Sequence, residues 1–244
     1  MQNPLEFTNS VKKIDAKVER YYLSLDTEKR KIISDGIVEK KQYFDSPIKI
    51  LWILKEPYDL ENNGDDTWPL NDFLNNENEL QKLGGFKTTW YPIIYTSYAI
   101  LNGFLKYEDM SFIDDDLDML NIFKKIAVIN VQKFPAKTTT KNSEITAAYK
   151  THSKILLEQI ATYNPNIIIG GNTMLNFVED LGLKDFKYYD EYDYWIKANQ
   201  LFIHAAHPAF RGNDEAKEAY VNDIVRISKN FSNKNSDKFK IINP

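Results

Sequence analysis

Ile48-Lys49-Ile50-Leu51-Trp52-Ile53-Leu54, followed at once by Lys55-Glu56-Pro57-Tyr58, decides how the rest of this 244-residue chain is read. A short apolar run closed by charge and proline has the length of a buried strand that meets solvent at its carboxyl end. Three later runs repeat the pattern. Ile126-Ala127-Val128-Ile129-Asn130-Val131 leads into Gln132-Lys133-Phe134-Pro135, and Ile167-Ile168-Ile169 leads into Gly170-Gly171-Asn172-Thr173. Leu201-Phe202-Ile203-His204-Ala205-Ala206 leads into His207-Pro208-Ala209-Phe210-Arg211. Strands separated by helical stretches predict an α/β fold with a central, mostly parallel, four-stranded sheet flanked by helices. Ligands of such sheets bind beyond the carboxyl ends of the strands, where all four polar segments fall.

The helices are expected around these runs. Val11, Ile14, Val18, Tyr21 and Leu25 recur at helical spacing and predict a helix over 8–25, with a second over 27–42. Pro57, Asn62-Asn63-Gly64 and Pro69 mark a loop over 56–69, before a short polar helix near 70–82. Pro92 suits the first turn of an aromatic-rich helix ending near 104, and 115–125 reads as helical. Ser143 is placed to cap a helix reaching Tyr163, and Asn172 one over 173–181. Residues 192–205 read as two strands around Ala198-Asn199-Gln200, followed by a helix over 214–230. The expected organisation is one domain: a helical segment 1–47 packed on an α/β core of 48–230, with a tail over 231–244.

Composition removes several chemistries. There is no cysteine, which excludes disulfides, thiolate metal sites, iron–sulfur clusters and a cysteine nucleophile. His204 and His207 have no third ligand nearby in sequence, so no metal and no cofactor is expected. His204 reads as a strand residue and His152 as a helix-surface residue. No GxxxxGK[ST] stretch occurs, which disfavours a P-loop nucleotide hydrolase. No leader and no membrane-length apolar run is visible, so a soluble, cytoplasmic monomer without a membrane partner is expected. The net charge of −4 argues against nucleic acid at first sight, but the charge is segregated. Residues 55–120 carry four Lys against fourteen Asp or Glu, and residues 121–160 carry seven Lys against two Glu. Each block by itself is a solvated face; the basic one encloses Asn130.

The four edge segments carry distinct chemistry. Glu56, confined between Lys55 and Pro57, is a candidate to activate water and stabilise a developing cation. A surface Glu in a loop is its plain alternative, and Asp59 is the competing carboxylate. His207 precedes a proline and is a candidate donor to a developing anion. Asn130, an amide in an apolar strand, must find partners, and its one acceptor and two donors suit a pyrimidine edge or adjacent loop backbone. Gly171, Asn172 and Thr173 open a predicted helix, whose backbone N–H groups suit a phosphate.

In order and local sequence these segments resemble the uracil-DNA glycosylase superfamily across about residues 48–230. Lys55-Glu56-Pro57-Tyr58 is similar to the superfamily's first motif, Gly-Gln-Asp-Pro-Tyr in its classical branch. The resemblance gives Glu56 the water-activating role and makes Tyr58 a screen for the base 5-position. Asn130 in Asn130-Val131-Gln132-Lys133-Phe134-Pro135 corresponds to the base reader, and the Gly170-Gly171 turn to the grip on DNA backbone. His207-Pro208-Ala209-Phe210-Arg211 resembles the His-Pro loop, with His207 on the base oxygen and Phe210 or Arg211 wedged into the stack. The first motif departs from the pattern by lacking Gly and carrying Glu for Asp, and the cysteines of one cluster-bearing branch are absent.

The activity this implies is excision of a flipped pyrimidine from double- or single-stranded DNA, leaving an abasic site. The base is either uracil or a modified cytosine such as glucosylated hydroxymethylcytosine of phage DNA, which would place the protein in anti-phage defence. Amide rotation lets Asn130 match either edge. Trp90 is a further candidate for stacking on the base, and Lys133, Lys137 and Lys141 for holding phosphates. Competing readings are a noncatalytic nucleic-acid- or protein-binding module on the same fold, and a nucleoside hydrolase with no need of a basic groove.

Overall fold

The computed structural model describes residues 3–25, 32–57, 70–76, 87–135, 140–189 and 192–235. Helix α1 (Pro4–Leu25) buries Phe7, Val11, Ile14, Val18 and Tyr22, one stripe at helical spacing. Of the helix expected over 27–42, only residues 40–42 are helical among the described residues. Gly36–Ile37 is instead a short strand, β1, and helix α2 is confined to Lys40–Asp45. Two local features explain the break. Gly36 sits at φ 133, outside helical space, and the Glu39 carboxylate accepts from the N–H groups of Lys41 and Gln42, which starts α2 there.

The deciding run forms β2 (Ile50–Leu54), buried along its whole length. Ile50, Trp52 and Leu54 enter one core, while Leu51 and Ile53 enter the other. This is the pattern of a strand covered on both faces, and each such side chain contributes roughly 1.5–3 kcal/mol by burial. The one polar atom of Trp52 is satisfied, because its Nε1 donates to Ser97 Oγ at 3.0 Å. Helices α3 (Leu70–Asn75) and α4 (Lys87–Leu101) follow. Pro92 lies inside α4 rather than in its first turn. The remaining elements are β3 (Ala127–Asn130), α5 (Asn142–Tyr163), β4 (Ile167–Gly171), β5 (Lys187–Tyr189), β6 (Tyr192–Lys197), β7 (Gln200–Ala205) and α6 (Asp214–Lys234). Residues 117–125 form a 3-10 stretch, and Met174–Asn176 a single 3-10 turn where a longer helix was expected.

The sheet has seven strands in the order β1-β3-β2-β4-β7-β6-β5, not four. The four predicted strands β3, β2, β4 and β7 are adjacent and parallel at its centre, and β1, β6 and β5 extend it antiparallel at both margins. The 1–47 segment therefore contributes a strand to the same sheet, and α6 runs beyond residue 230. One face is covered by α4, α6 and the 117–125 stretch, the other by α1, α2 and α5. Numbered along the chain, the parallel strands run 2-1-3-4, so the order reverses between β2 and β4. A crevice at the carboxyl ends opens at such a reversal. Among the described residues no helix is long and apolar enough to cross a membrane.

Candidate active site

Three chain segments, leaving β2, β4 and β7, meet at the carboxyl ends beside this reversal. Pairing of β2 with β3 continues past the strands, since Val131 N–H donates to Leu54 O and Gln132 N–H to Lys55 O, both at 2.9 Å. Lys55 and the start of the Glu56 turn are thereby held as an extension of the sheet. On the other side of the reversal, Asn172 turns at φ 59 and its N–H donates to Ala205 O at 2.7 Å. Gly171 is what lets the segments meet. A Cβ there would lie 2.9 Å from Pro208 Cδ and 3.1 Å from Leu54 Cδ2. The loop after β7 closes onto the end of β2 only because that position is bare.

Glu56 is half-buried, and its Oε2 is buried without a hydrogen-bond partner among the described residues. Burial raises its pKa above the ordinary carboxylate value, opposed by the Thr140 hydroxyl and the Lys55 charge. His207 is likewise half-buried. Its Nδ1 accepts from Ala209 N–H at 3.2 Å, and its carbonyl accepts from Phe210 N–H at 2.8 Å. With Nδ1 accepting, the neutral ring carries its proton on Nε2. Burial, aided by the positive charge of Lys55, pushes the imidazole down to about 4, so it is neutral at pH 7. Lys55 thus acts electrostatically on both groups, while its Nζ donates to Asn142 Oδ1 at 2.9 Å. The same Asn142 oxygen accepts from Asn172 Nδ2 at 3.2 Å and ties the start of α5 to the ends of β2 and β4. A carboxylate with an idle oxygen, a neutral N–H donor and a nearby cation form a set suited to hydrolysis.

Asn130 ends β3 and is 2% exposed. Its backbone N–H donates to Asp35 Oδ2 at 2.7 Å, and its Nδ2 reaches the same oxygen at 3.4 Å. Lys133 was expected on phosphate but is buried instead. Its Nζ meets Asp35 Oδ1 at 2.7 Å and Oδ2 at 2.8 Å, Asn130 O at 2.8 Å and Gln159 Oε1 at 3.4 Å. An ammonium so enclosed cannot reach DNA.

Other expected contacts also turn inward. Trp90 is a core residue packed edge-on against Phe123 at 5.5 Å, so it is not a stacking surface. Thr173 is fully buried and its hydroxyl donates to Ile53 O at 2.8 Å, which removes it from phosphate contact. With the Asn172 N–H bound to β7, the 171–173 turn offers less of an anion cradle than its sequence implies. Phe210 is half-buried and stacked on Tyr220 at 5.1 Å, whereas Arg211 is exposed. Lys141 is exposed at the N-cap of α5. His204 lies in β7 as expected, but His152 is buried against Tyr22, not on a helix surface. Tyr58, Asp59 and Lys137 lie outside the described residues. Among the described residues no group of three or more His, Asp or Glu side chains is placed to hold a metal ion.

Asp35, Thr140 and Asn142 were not singled out by sequence. Asp35-Gly36 carried a usable signal as a turn dipeptide, while nothing in the polar sequence around them marks Thr140 or Asn142, the first residue of α5. Comparison of the chain with protein-family models and with curated proteins yields no match.

Proposed function

We propose that this protein is a DNA glycosylase that flips a pyrimidine nucleotide and hydrolyses its N-glycosidic bond. The observation that carries the reading is the meeting of the carboxyl ends of β2 and β7 over Gly171, where Glu56 with its idle Oε2 and a neutral His207 share the field of Lys55. Its position at the order reversal of a parallel sheet supports a uracil-DNA glycosylase-like three-layer fold, here extended by antiparallel strands. As the bond breaks, the sugar gains cationic character and the base leaves as an anion. His207 Nε2–H donates to the base oxygen, and Glu56 takes the proton of the water that adds to C1′. The products are the free base and an abasic site. Asn130 reads the base edge. Exposed Lys141 and Arg211 contact DNA backbone or the vacated stack.

The substrate is a modified cytosine, such as glucosylated hydroxymethylcytosine, or uracil. The test is a panel of oligonucleotides containing uracil, hypoxanthine, hydroxymethylcytosine or its glucosylated form, each followed by alkaline cleavage of abasic sites. Strand breaks at a pyrimidine and none at hypoxanthine are expected. Binding to these oligonucleotides without any breaks overturns the proposal in favour of a noncatalytic module.

A further inference from the structure

We infer that Asp35, held by Lys133, is a positioning residue that fixes the Asn130 amide in a single orientation, so that the site reads one donor–acceptor order. The inference rests on the glycosylase reading and goes beyond it. An asparagine amide alone is ambiguous, because a half-turn exchanges its oxygen and nitrogen and lets it match either a uracil or a cytosine edge. Here the ambiguity is removed by a neighbour. A carboxylate offers acceptors only, so only the NH2 end of Asn130 can face Asp35 Oδ2, which lies 3.4 Å from Nδ2. The same oxygen takes the Asn130 backbone N–H at 2.7 Å and so anchors main chain and side chain together. Reversing the amide would set its Oδ1 against a carboxylate oxygen inside the protein, where the residue is 2% exposed and water cannot screen the repulsion.

Asp35 is itself immobilised. Lys133 Nζ contacts both of its oxygens, at 2.7 and 2.8 Å, and braces the pair on Asn130 O at 2.8 Å. The two side chains are 0% and 1% exposed. Across the sheet Asp35 adjoins β1, on the far side of β3 from β2 and Glu56. The Asn130 oxygen is therefore turned away from the β1 margin, with the NH2 beside Asp35. This assigns the selectivity of the pocket to a residue that need not touch the base.

The experiment uses the full chain and single-stranded oligonucleotides in matched pairs that differ only at ring positions 3 and 4: uracil against cytosine, 5-hydroxymethyluracil against 5-hydroxymethylcytosine, and the glucosylated forms of those last two. Initial excision rates give a ratio for each pair. The wild type is expected to prefer one member by roughly 10- to 100-fold, the discrimination of one bidentate contact. Asp35→Asn, whose amide can donate or accept, is expected to bring that ratio towards one. The double variant D35N/K133M repeats the test without leaving an unpaired buried ammonium. K133M alone frees Asp35 from its clamp and should also lower the ratio, though less than D35N. In the wild type, one side-chain NH2 proton of Asn130 should resonate downfield in NMR spectra and lose that shift in D35N/K133M. A wild type that cuts but shows no preference, or a preference unmoved in both Asp35 variants, overturns this inference alone. A wild type that cuts none of these oligonucleotides, the glucosylated ones included, overturns the glycosylase reading and this inference with it.

Discussion

Two lysine–carboxylate pairs stand at neighbouring strand ends of one sheet, and they are opposites. Lys133 and Asp35 are closed from solvent at 1% and 0% side-chain exposure, and every described neighbour of the ammonium is an acceptor. Lys55 and Glu56 are half-buried. The lysine is drawn off to Asn142, and the carboxylate keeps one buried oxygen without a partner among the described residues. Each place holds one lysine and one carboxylate; completeness of hydrogen bonding differs. A buried charge with all its partners present is stable and inert, because any change costs the desolvation already incurred. A carboxylate held partly out of water without a full set of partners is costly to keep, and such cost is characteristic of groups that act on a ligand. The contrast teaches where to look for chemistry in this chain: one pair maintains the β1–β3 margin, the other faces the crevice.

The largest effect is expected from removing the chemistry and not the fold. Glu56→Gln should lower excision about 10²–10⁴-fold, the range for a lost general base. Its denaturation midpoint should stay close to wild type, because the oxygen replaced has no described partner to lose. Undiminished excision would break the contrast, since both carboxylates would then be structural. Lys133→Ala is the mirror experiment. It strands Asp35 as a buried unpaired carboxylate and should cost about 3–5 kcal/mol in urea unfolding. The double change D35N/K133M removes both charges together and should recover much of that loss. A single-variant cost below about 1 kcal/mol would place the pair among ordinary surface ion pairs.

The same contrast marks what was legible in the sequence. The four central strands could be read because each is an apolar run of strand length ending in polar punctuation. Their order across the sheet could not, because it depends on which helices cover which face. Of the three marginal strands, β6 was read as the first of two strands over 192–205, and the other two were hidden for local reasons. β1 has two residues and no period to detect, and β5 is largely exposed. Among the site residues, Glu56 and His207 were visible because a strand end dictates where the chain meets solvent. Lys133 was misread because its partner lies 98 residues away in the chain, and a lysine in a basic stretch defaults to the surface. Trp90 and Thr173 failed for the same reason: Phe123 and the Ile53 carbonyl that claim them are remote in sequence.

The smallest effect expected is in pH dependence, and it tests the crevice against the core once more. His207 in the crevice and His152 against Tyr22 are each pushed down to about 4, first by burial and then by a nearby lysine, Lys55 or Lys133. In the unfolded chain both titrate near the ordinary imidazole value of 6.5. As pH falls through 6.5 towards 4, the unfolded chain takes up protons that the folded one refuses, so stability present above 6.5 is progressively lost. Replacing His152 with Gln should flatten part of that acid loss without touching excision. His207→Ala should flatten another part and abolish the donor to the base. The excision rate itself should show no inflection near pH 6.5, because His207 is already neutral there, and Glu56, raised by burial, should govern the acid limb. A rate midpoint close to 6.5 would mean that water reaches His207 as it does in a peptide. The crevice would then hold its groups no more firmly than an exposed loop, and the difference from the Asp35–Lys133 margin would be one of depth, not of function.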